Sequence, residues 1–317
     1  MKILITPTSL QPGKKSEALK KLQSFSNDLI FNDKGRPLTE DELIPLIKDC
    51  DGYIAGLDNI TEKVINACKN LKVISRYGVG FERVDIQAAK EKGIKVTNTP
   101  GANAEAVGEL TFALLLSVAR QVPLLDRSTR AGGWIRSTGM ELFGKTIGIL
   151  GLGSIGKVVA RCAQGFGMNV LAYDPFINIE YCEEHKIISC TLEEIYKRAD
   201  VVSLHLPLME STYHMIDSKA IDKMKDGTIL INASRGGLID EDAVYVALKT
   251  GHLGGLGLDA FENEPPKDSP LFKFDTVVVT PHTGAHTKEA TFNMANMAVN
   301  NLIDVLEGRE CRFIVNG

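Results

Sequence analysis

Three side chains of complementary chemistry each stand just beyond a short β-type run. Arg235 follows TILINAS in the segment NASRGG, Glu264 lies in DAFENEPP, and His282 follows TVVVT in TPHTGAHT. A guanidinium can grip a carboxylate through two parallel hydrogen bonds and polarise the carbonyl beside it. An imidazole titrating near neutrality can take or return a hydroxyl proton. A carboxylate on its other ring nitrogen fixes the tautomer and favours the charged imidazolium. Together these types suit hydride transfer at a 2-hydroxy or 2-keto acid. Taken singly, each has an ordinary alternative. Arg235 could sit in a surface ion pair, Glu264 could be a loop acid with Glu262 as its competitor, and His286 is a second candidate beside His282.

A glycine pattern supplies the partner for that chemistry. The apolar run TIGIL leads into GLGSIG (151–156), and the helical run KVVARCAQGFG follows. G-x-G-x-x-G between a strand and a helix is the context of dinucleotide binding. Gly151 permits the tight turn, Gly153 lets a pyrophosphate approach the backbone, and Gly156 lets the helix pack on the strand. The helix start, with Ser154 and Ile155 in its first turn, offers free N–H groups and a positive dipole end. The next strand ends at Asp174, eighteen residues past Gly156. A carboxylate there accepts hydrogen bonds from ribose hydroxyls and repels a 2′-phosphate, which favours NAD over NADP.

These residues must be positioned by strands and helices, and the pattern of both is plain along the chain. Strands are expected at 2–6, 52–56, 72–75, 94–98, 146–151, 169–174, 200–207, 228–234, 254–261 and 276–281. Helices are expected at 16–25, 39–49, 61–69, 85–92, 154–166, 191–198, 240–250 and 287–307, with two more between Asn103 and Arg130. Continuous apolar runs bounded by Gly, Pro or Asp read as strands covered on both faces. Their alternation with helices predicts an α/β protein with parallel sheets and right-handed crossovers. Ligands of such sheets bind beyond the carboxyl ends of the strands, where Arg235, Glu264 and His282 all stand.

Composition narrows the function classes. The 317 residues predict about two domains and are 44% hydrophobic and 24% charged, as in ordinary globular proteins. A net charge of −4 leaves no basic field for nucleic acid or an anionic membrane. Phe112 to Ala119, the longest apolar stretch, stops at Arg120, short of the roughly 18–20 residues of a membrane span. The opening MKILITPTSL reads as a first strand rather than a signal peptide. Six cysteines without paired spacing fit reduced thiols and a cytoplasmic setting. The histidines and cysteines form no metal-spaced cluster, so no metal is expected.

The order of motifs resembles the D-isomer-specific 2-hydroxyacid dehydrogenase family, and within it the phosphoglycerate dehydrogenases. The likeness runs from residue 50 to the end. It is carried by RYGVGFERVD (76–85), VTNTPGANAEAVGELTFALLL (96–116), ELFGKTIGILGLGSIGK (141–157), GMNVLAYDP (167–175), ADVVSLHLPL (199–208), INASRGGLIDEDAV (231–244), GLGLDAFENEPP (255–266) and VVVTPHTGAHTKEA (277–290). The resemblance implies two Rossmann-like doubly wound domains with a cleft between them. One is a discontinuous substrate domain of residues 1–99 and 283–317, the other an NAD domain of residues 100–282.

It implies Arg235 as substrate anchor, Glu264 as orienter and His282 as acid–base. His205, Pro207, Thr212, Ala233 and Gly284 would line the cofactor, and Asp259 would bond the nicotinamide carboxamide. The amides of Val79 and Gly80 would receive the substrate carboxylate, with Arg76 and Arg136 as basic positions near a phosphate. A homodimer through the 103–130 region is also implied, acting on a small anionic 2-hydroxy or 2-keto acid.

Two departures stand out. Gly56 replaces an arginine that phosphoglycerate-specific relatives often carry, and Ser154 replaces the arginine of the G-x-G-R-I-G form. The expected reaction is NAD-dependent oxidation of D-3-phosphoglycerate, as in serine biosynthesis. The alternatives are a glyoxylate/hydroxypyruvate reductase, a D-lactate dehydrogenase or, more distantly, an NADH-sensing corepressor-like binding protein. With Gly317 directly after the last helix, no C-terminal amino-acid-sensing domain and no serine feedback through one are expected.

Overall fold

Strands such as GYIA, VVSL and TILIN are buried at every position, so their sheets are covered by helices on both faces. The structure is a computed structural model that describes residues 1–14 and 16–317. Its chain divides into two compact units, Met1–Asn103 with His286–Gly317, and Ala104–Ala285.

The first unit holds strands β1 (Lys2–Ile5), β2 (Asp28–Phe31), β3 (Gly52–Ala55), β4 (Val73–Arg76) and β5 (Lys95–Thr97). All pairs are parallel, in the order β2-β1-β3-β4-β5. Alternate side chains divide between two cores. Ile3, Ile5, Ile54 and Val73 pack with Leu19, Leu22, Val299 and Leu302, from helices Glu17–Phe25 and Lys288–Leu306. Leu4, Tyr53, Ile74 and Val96 pack with Leu43, Ile47, Val64 and Ala89 of three shorter helices.

The second unit holds β6 (Thr146–Leu150), β7 (Asn169–Tyr173), β8 (Ile188–Ser189), β9 (Val201–Leu204), β10 (Thr228–Asn232), β11 (Leu253–Leu258) and β12 (Val277–Val279). This parallel sheet runs β12-β11-β10-β9-β6-β7-β8, so the strand order reverses between β6 and β9. A ligand crevice is expected at the carboxyl ends on that reversal. Helix Ala104–Ala119 lies close over β11. A Cβ on Gly257 would stand 3.1 Å from Leu114 Cβ and 2.7 Å from Ile231 Cδ1, which explains the glycines of LGGLGL.

Among the described residues no single helix is long and apolar enough to cross a membrane; helices Ala104–Ala119 and Val122–Arg130 reach that measure only as a pair bent by 64°. Elements not anticipated include β2, β8, the helices Ile179–Glu184 and Ser218–Ile221, and short helical turns at Gly236–Leu238 and Pro270–Lys273. β2 and β8 lie at sheet edges, with half-exposed and exposed side chains respectively; β2 has only the three apolar residues Leu29 to Phe31 between Asp28 and Asn32, and β8 is two residues long. Helix Ile179–Glu184 is a short, mostly polar piece started by Asn178, whose side chain accepts from Tyr181 N–H.

Candidate active site

The glycine turn leaves β6 at the point where the strand order reverses. Gly151 has φ +102°, and a Cβ there would lie 2.7 Å from the His205 carbonyl carbon. Only glycine fits such a turn. A Cβ on Gly156 would collide with the Gly151 carbonyl oxygen, whereas one on Gly153 would meet nothing within 4 Å. Gly153 therefore faces open space while its neighbours are crowded. It caps the helix Ser154–Gly165 without any side-chain hydrogen bond, so the first N–H groups are left for an anion. That cradle fits a pyrophosphate.

Asp174, just past β7, is held by two backbone donors. Its Oδ2 accepts from Leu152 N–H at 2.8 Å and its Oδ1 from Phe176 N–H at 2.8 Å. A carboxylate has about four lone-pair positions, so acceptor capacity for ribose hydroxyls remains. His205, past β9, has Nε2 2.8 Å from Ser203 Oγ, while its shielded Nδ1 has no partner among the described residues. Burial pushes its pKa down to about 3, so the ring stays neutral. Thr212 closes the following loop, donating to the Pro207 carbonyl at 2.7 Å and accepting from Met209 N–H at 2.8 Å.

Asn232, at the end of β10, shapes the turn that carries Ala233 and Arg235. Its Oδ1 accepts from Ser234 N–H at 3.1 Å, and its amide donates to the Arg235 carbonyl at 2.8 Å. Ser234 Oγ donates to the Leu206 carbonyl at 2.8 Å, joining this turn to the His205 loop. Neither Asn232 nor Ser234 was singled out from the sequence, although an Asn two residues before a Ser is an ordinary Asx-turn signal.

Past β11, Asp259 is 2% exposed and its carboxylate organises the loop after β12. It accepts from Thr280 Oγ1 at 2.6 Å, Thr283 N–H at 2.7 Å and Gly284 N–H at 2.8 Å. Between those anchors His282 is held at φ +52°, a left-handed conformation uncommon outside glycine. Such a residue persists only where its surroundings over-determine it. His282 Nδ1 lies 2.8 Å from Glu264 Oε1 and 3.0 Å from Oε2. Glu264 Oε1 also accepts from Phe261 N–H at 3.2 Å. A carboxylate on Nδ1 assigns the proton to that nitrogen and leaves Nε2 for exchange with a ligand.

The competitors fall elsewhere. Glu262 turns to Glu241 N–H, and His286 belongs to the first unit. Six strand ends of the second unit thus carry the glycine turn, Asp174, His205, Arg235, Asp259 with Glu264, and His282.

In the first unit Arg76 ends β4, and Val79 and Gly80 lie just beyond it. Arg76 is 4% exposed, and burial lowers its pKa. Its Nε donates to the Gly80 carbonyl at 3.1 Å and its Nη1 to the Ala55 carbonyl at 2.8 Å. Asn98 holds the Val79 carbonyl at 2.8 Å. The turn is therefore anchored by its carbonyl oxygens. Gly56 donates its N–H to Thr6 Oγ1 at 2.9 Å, and a Cβ there would stand 3.3 Å from Pro7 N. Arg136 is exposed in the second unit, between helix Val122–Arg130 and β6.

Comparison with known proteins gives a consistent picture. The model of the D-isomer specific 2-hydroxyacid dehydrogenase NAD binding domain matches residues 112–284. D-3-phosphoglycerate dehydrogenase of Methanocaldococcus jannaschii is 44% identical over 283 residues, covering 88% of this chain and 54% of that protein. The chain thus spans about half the length of that relative. Hydroxypyruvate reductase of Thermotoga maritima is 44% identical over 264 residues, covering 80% and 84%. A solved protein from Thermus thermophilus superposes with a TM-score of 0.90 at 39% identity, over 99% of this chain and 100% of the other.

Proposed function

Because the chain belongs to the D-isomer specific 2-hydroxyacid dehydrogenase family, we propose that it oxidises a D-2-hydroxy acid to the 2-keto acid and runs the reverse reduction. The observation that carries this reading is the His282–Glu264 pair at 2.8 Å, on the same sheet edge as Arg235 and the glycine turn. Gly153, the first N–H groups of helix Ser154–Gly165, and Asp174 would hold NAD, with His205 beside them. When bound, NAD supplies the hydride acceptor.

In the oxidative direction His282 Nε2 takes the hydroxyl proton as C2 loses its hydride. Glu264 keeps Nδ1 protonated and stabilises the imidazolium that forms. Arg235 binds the substrate carboxylate and polarises the oxygen that becomes the carbonyl. Asp259 acts through the backbone, holding His282 in its left-handed conformation. The Val79 and Gly80 N–H groups, which have no protein acceptor among the described residues, are suited to a carboxylate.

For the substrate, D-3-phosphoglycerate is the first reading, supported by the Methanocaldococcus relative and by the exposed Arg136. Reduction of hydroxypyruvate or glyoxylate is the second. It is favoured by Gly56, where neighbours leave little room for a side chain, and by Arg76, whose donors serve carbonyls. Rates with 3-phosphohydroxypyruvate, hydroxypyruvate, glyoxylate and pyruvate, each with NADH and NADPH, decide among them. A kcat/KM dominated by the phosphorylated acid supports the first reading, and equal or better use of hydroxypyruvate supports the second. No turnover of any of them overturns the reading. Preference for NADH is expected from Asp174.

We also infer a homodimer. Trp134 and Phe143 are each 79% exposed, with Ile135 beside them, more apolar surface than one short segment ordinarily leaves in water. Light scattering should give twice the chain mass.

A further inference from the structure

The carboxylate that competes with Glu264 in sequence occupies a separate place of its own. Glu262 Oε1 accepts from Glu241 N–H at 3.1 Å, and Glu262 N–H donates to Glu241 Oε1 at 2.9 Å. Each carboxylate therefore holds the other residue's backbone. Glu241 opens the helix Glu241–Thr250, directly after the turn that carries Arg235. The same Glu262 Oε1 lies 3.0 Å from His214 Nε2, off the hydrogen-bond direction but within ion-pair reach. His214 is itself anchored, its N–H donating to the Gly237 carbonyl at 2.8 Å. It stacks on Tyr213 with ring centroids 3.9 Å apart. One side chain thus touches the loop after β9, the loop after β10 and the loop after β11.

The backbones meet at the same point. Gly236, adjacent to Arg235, packs so tightly on the peptide joining Phe261 and Glu262 that a Cβ would overlap the Phe261 carbonyl. Phe261 N–H in turn donates to Glu264 Oε1, which holds His282. A displacement of the 261–262 peptide would therefore move the arginine turn on one side and the Glu264–His282 pair on the other. We propose that Glu262, together with Glu241, is a positioning residue that sets Arg235 against the Glu264–His282 pair by clamping the peptide between them. The inference deepens the dehydrogenase reading and rests on it for its effect on rate, but not for its effect on the imidazole.

A misplacement of reacting groups by about 1 Å can cost about 10²-fold in rate. In the full chain, Glu262→Ala should lower kcat/KM for the best keto acid by about 10- to 100-fold while NADH affinity stays within a factor of about two. The His282 imidazole, followed by NMR and assigned with a His282 variant, should titrate at lower pH, because a loosened Glu264 stabilises the imidazolium less. Glu262→Gln keeps an acceptor for Glu241 N–H and should restore much of both. Glu241→Ala removes the partner from the other loop and is read in the same way, so the test does not hang on one variant folding.

A His282 midpoint unmoved in both alanine variants overturns the clamp, as does a wild-type kcat/KM in them. A general loss of stability with the midpoint in place also overturns it. If the parent protein turns over none of the acids but the midpoint still moves, the clamp stands and the proposed reaction falls.

Discussion

The two parallel sheets end in differently equipped edges. Beyond the seven-stranded sheet, His282 and Glu264 keep 43% and 27% of their side-chain surface exposed; Asp259 braces the loop of His282 through backbone atoms, as Asn232 and Thr212 do for the loops after β10 and β9. At the five-stranded sheet two charged groups, Asp58 and Arg76, are turned inward. Asp58, 1% exposed, accepts from Thr6 Oγ1, from Tyr53 Oη at 2.8 Å and from Leu38 N–H at 2.7 Å. Arg76 spends two donors on carbonyls of its own unit. Burial pushes the Tyr53 phenol far up, so it remains a donor. One kind of sheet thus serves two ends. In the second unit Asp259, Asn232 and Thr212 fix the loop backbones that carry His282 and Arg235. In the first, Asp58 and Arg76 are consumed in holding the backbone.

That contrast can be broken at several points. The largest effect is expected at the exposed pair: His282→Ala should reduce kcat by about 10²–10⁴ while NADH binding, read by fluorescence titration, is retained. A variant with wild-type turnover would remove the chemistry from this edge altogether. In the first unit, Arg76→Met should act on stability first. It removes the Arg76 donor from the Gly80 carbonyl and one of two donors from the Ala55 carbonyl, which keeps Tyr77 N–H, and is expected to cost about 1–3 kcal/mol in urea unfolding. If stability were unchanged and KM rose only for a phosphorylated acid, Arg76 would be a ligand-facing group, and the two edges would be more alike than described.

At neutral pH the smallest effect concerns His205, whose contribution emerges only as the pH falls. Its pKa in the folded chain lies near 3, below its usual value of 6.5. Below pH 6.5 the unfolded chain therefore takes up a proton that the folded chain refuses, and stability falls from there toward pH 3. His205→Gln should flatten that part of the stability–pH curve. A curve that keeps its full slope would show that this ring is not the group held neutral.

Much of the scaffold was legible because strand and helix signals are local. The apolar runs and the Gly, Pro and Asp that bound them place ten strands in order, and the glycine turn marks one loop. The ends were less legible. The run at 200–207 continues past the true end of β9 at Leu204, because the backbone there turns under Gly151 and Pro207 has no N–H to give a ladder. The run at 254–261 overshoots β11 in the same way, since Asp259 leaves the sheet to hold the loop of His282. β8, two exposed residues long, carries no hydrophobic period to detect.

Taken alone, then, the amino-acid order determined which residue types follow which strands and that one of those turns suits a dinucleotide, because turn geometry and side-chain periodicity operate within a few residues. The partners of each side chain depended on the strand order β12-β11-β10-β9-β6-β7-β8, which no window of sequence contains. Glu262 and Glu264 are two residues apart and chemically identical. The direction in which the loop leaves β11 gave one the backbone of Glu241 and the other the imidazole of His282. That Arg76 is buried with its donors on the Gly80 and Ala55 carbonyls was likewise decided by packing, because burial is a property of the whole core rather than of its neighbours in the chain.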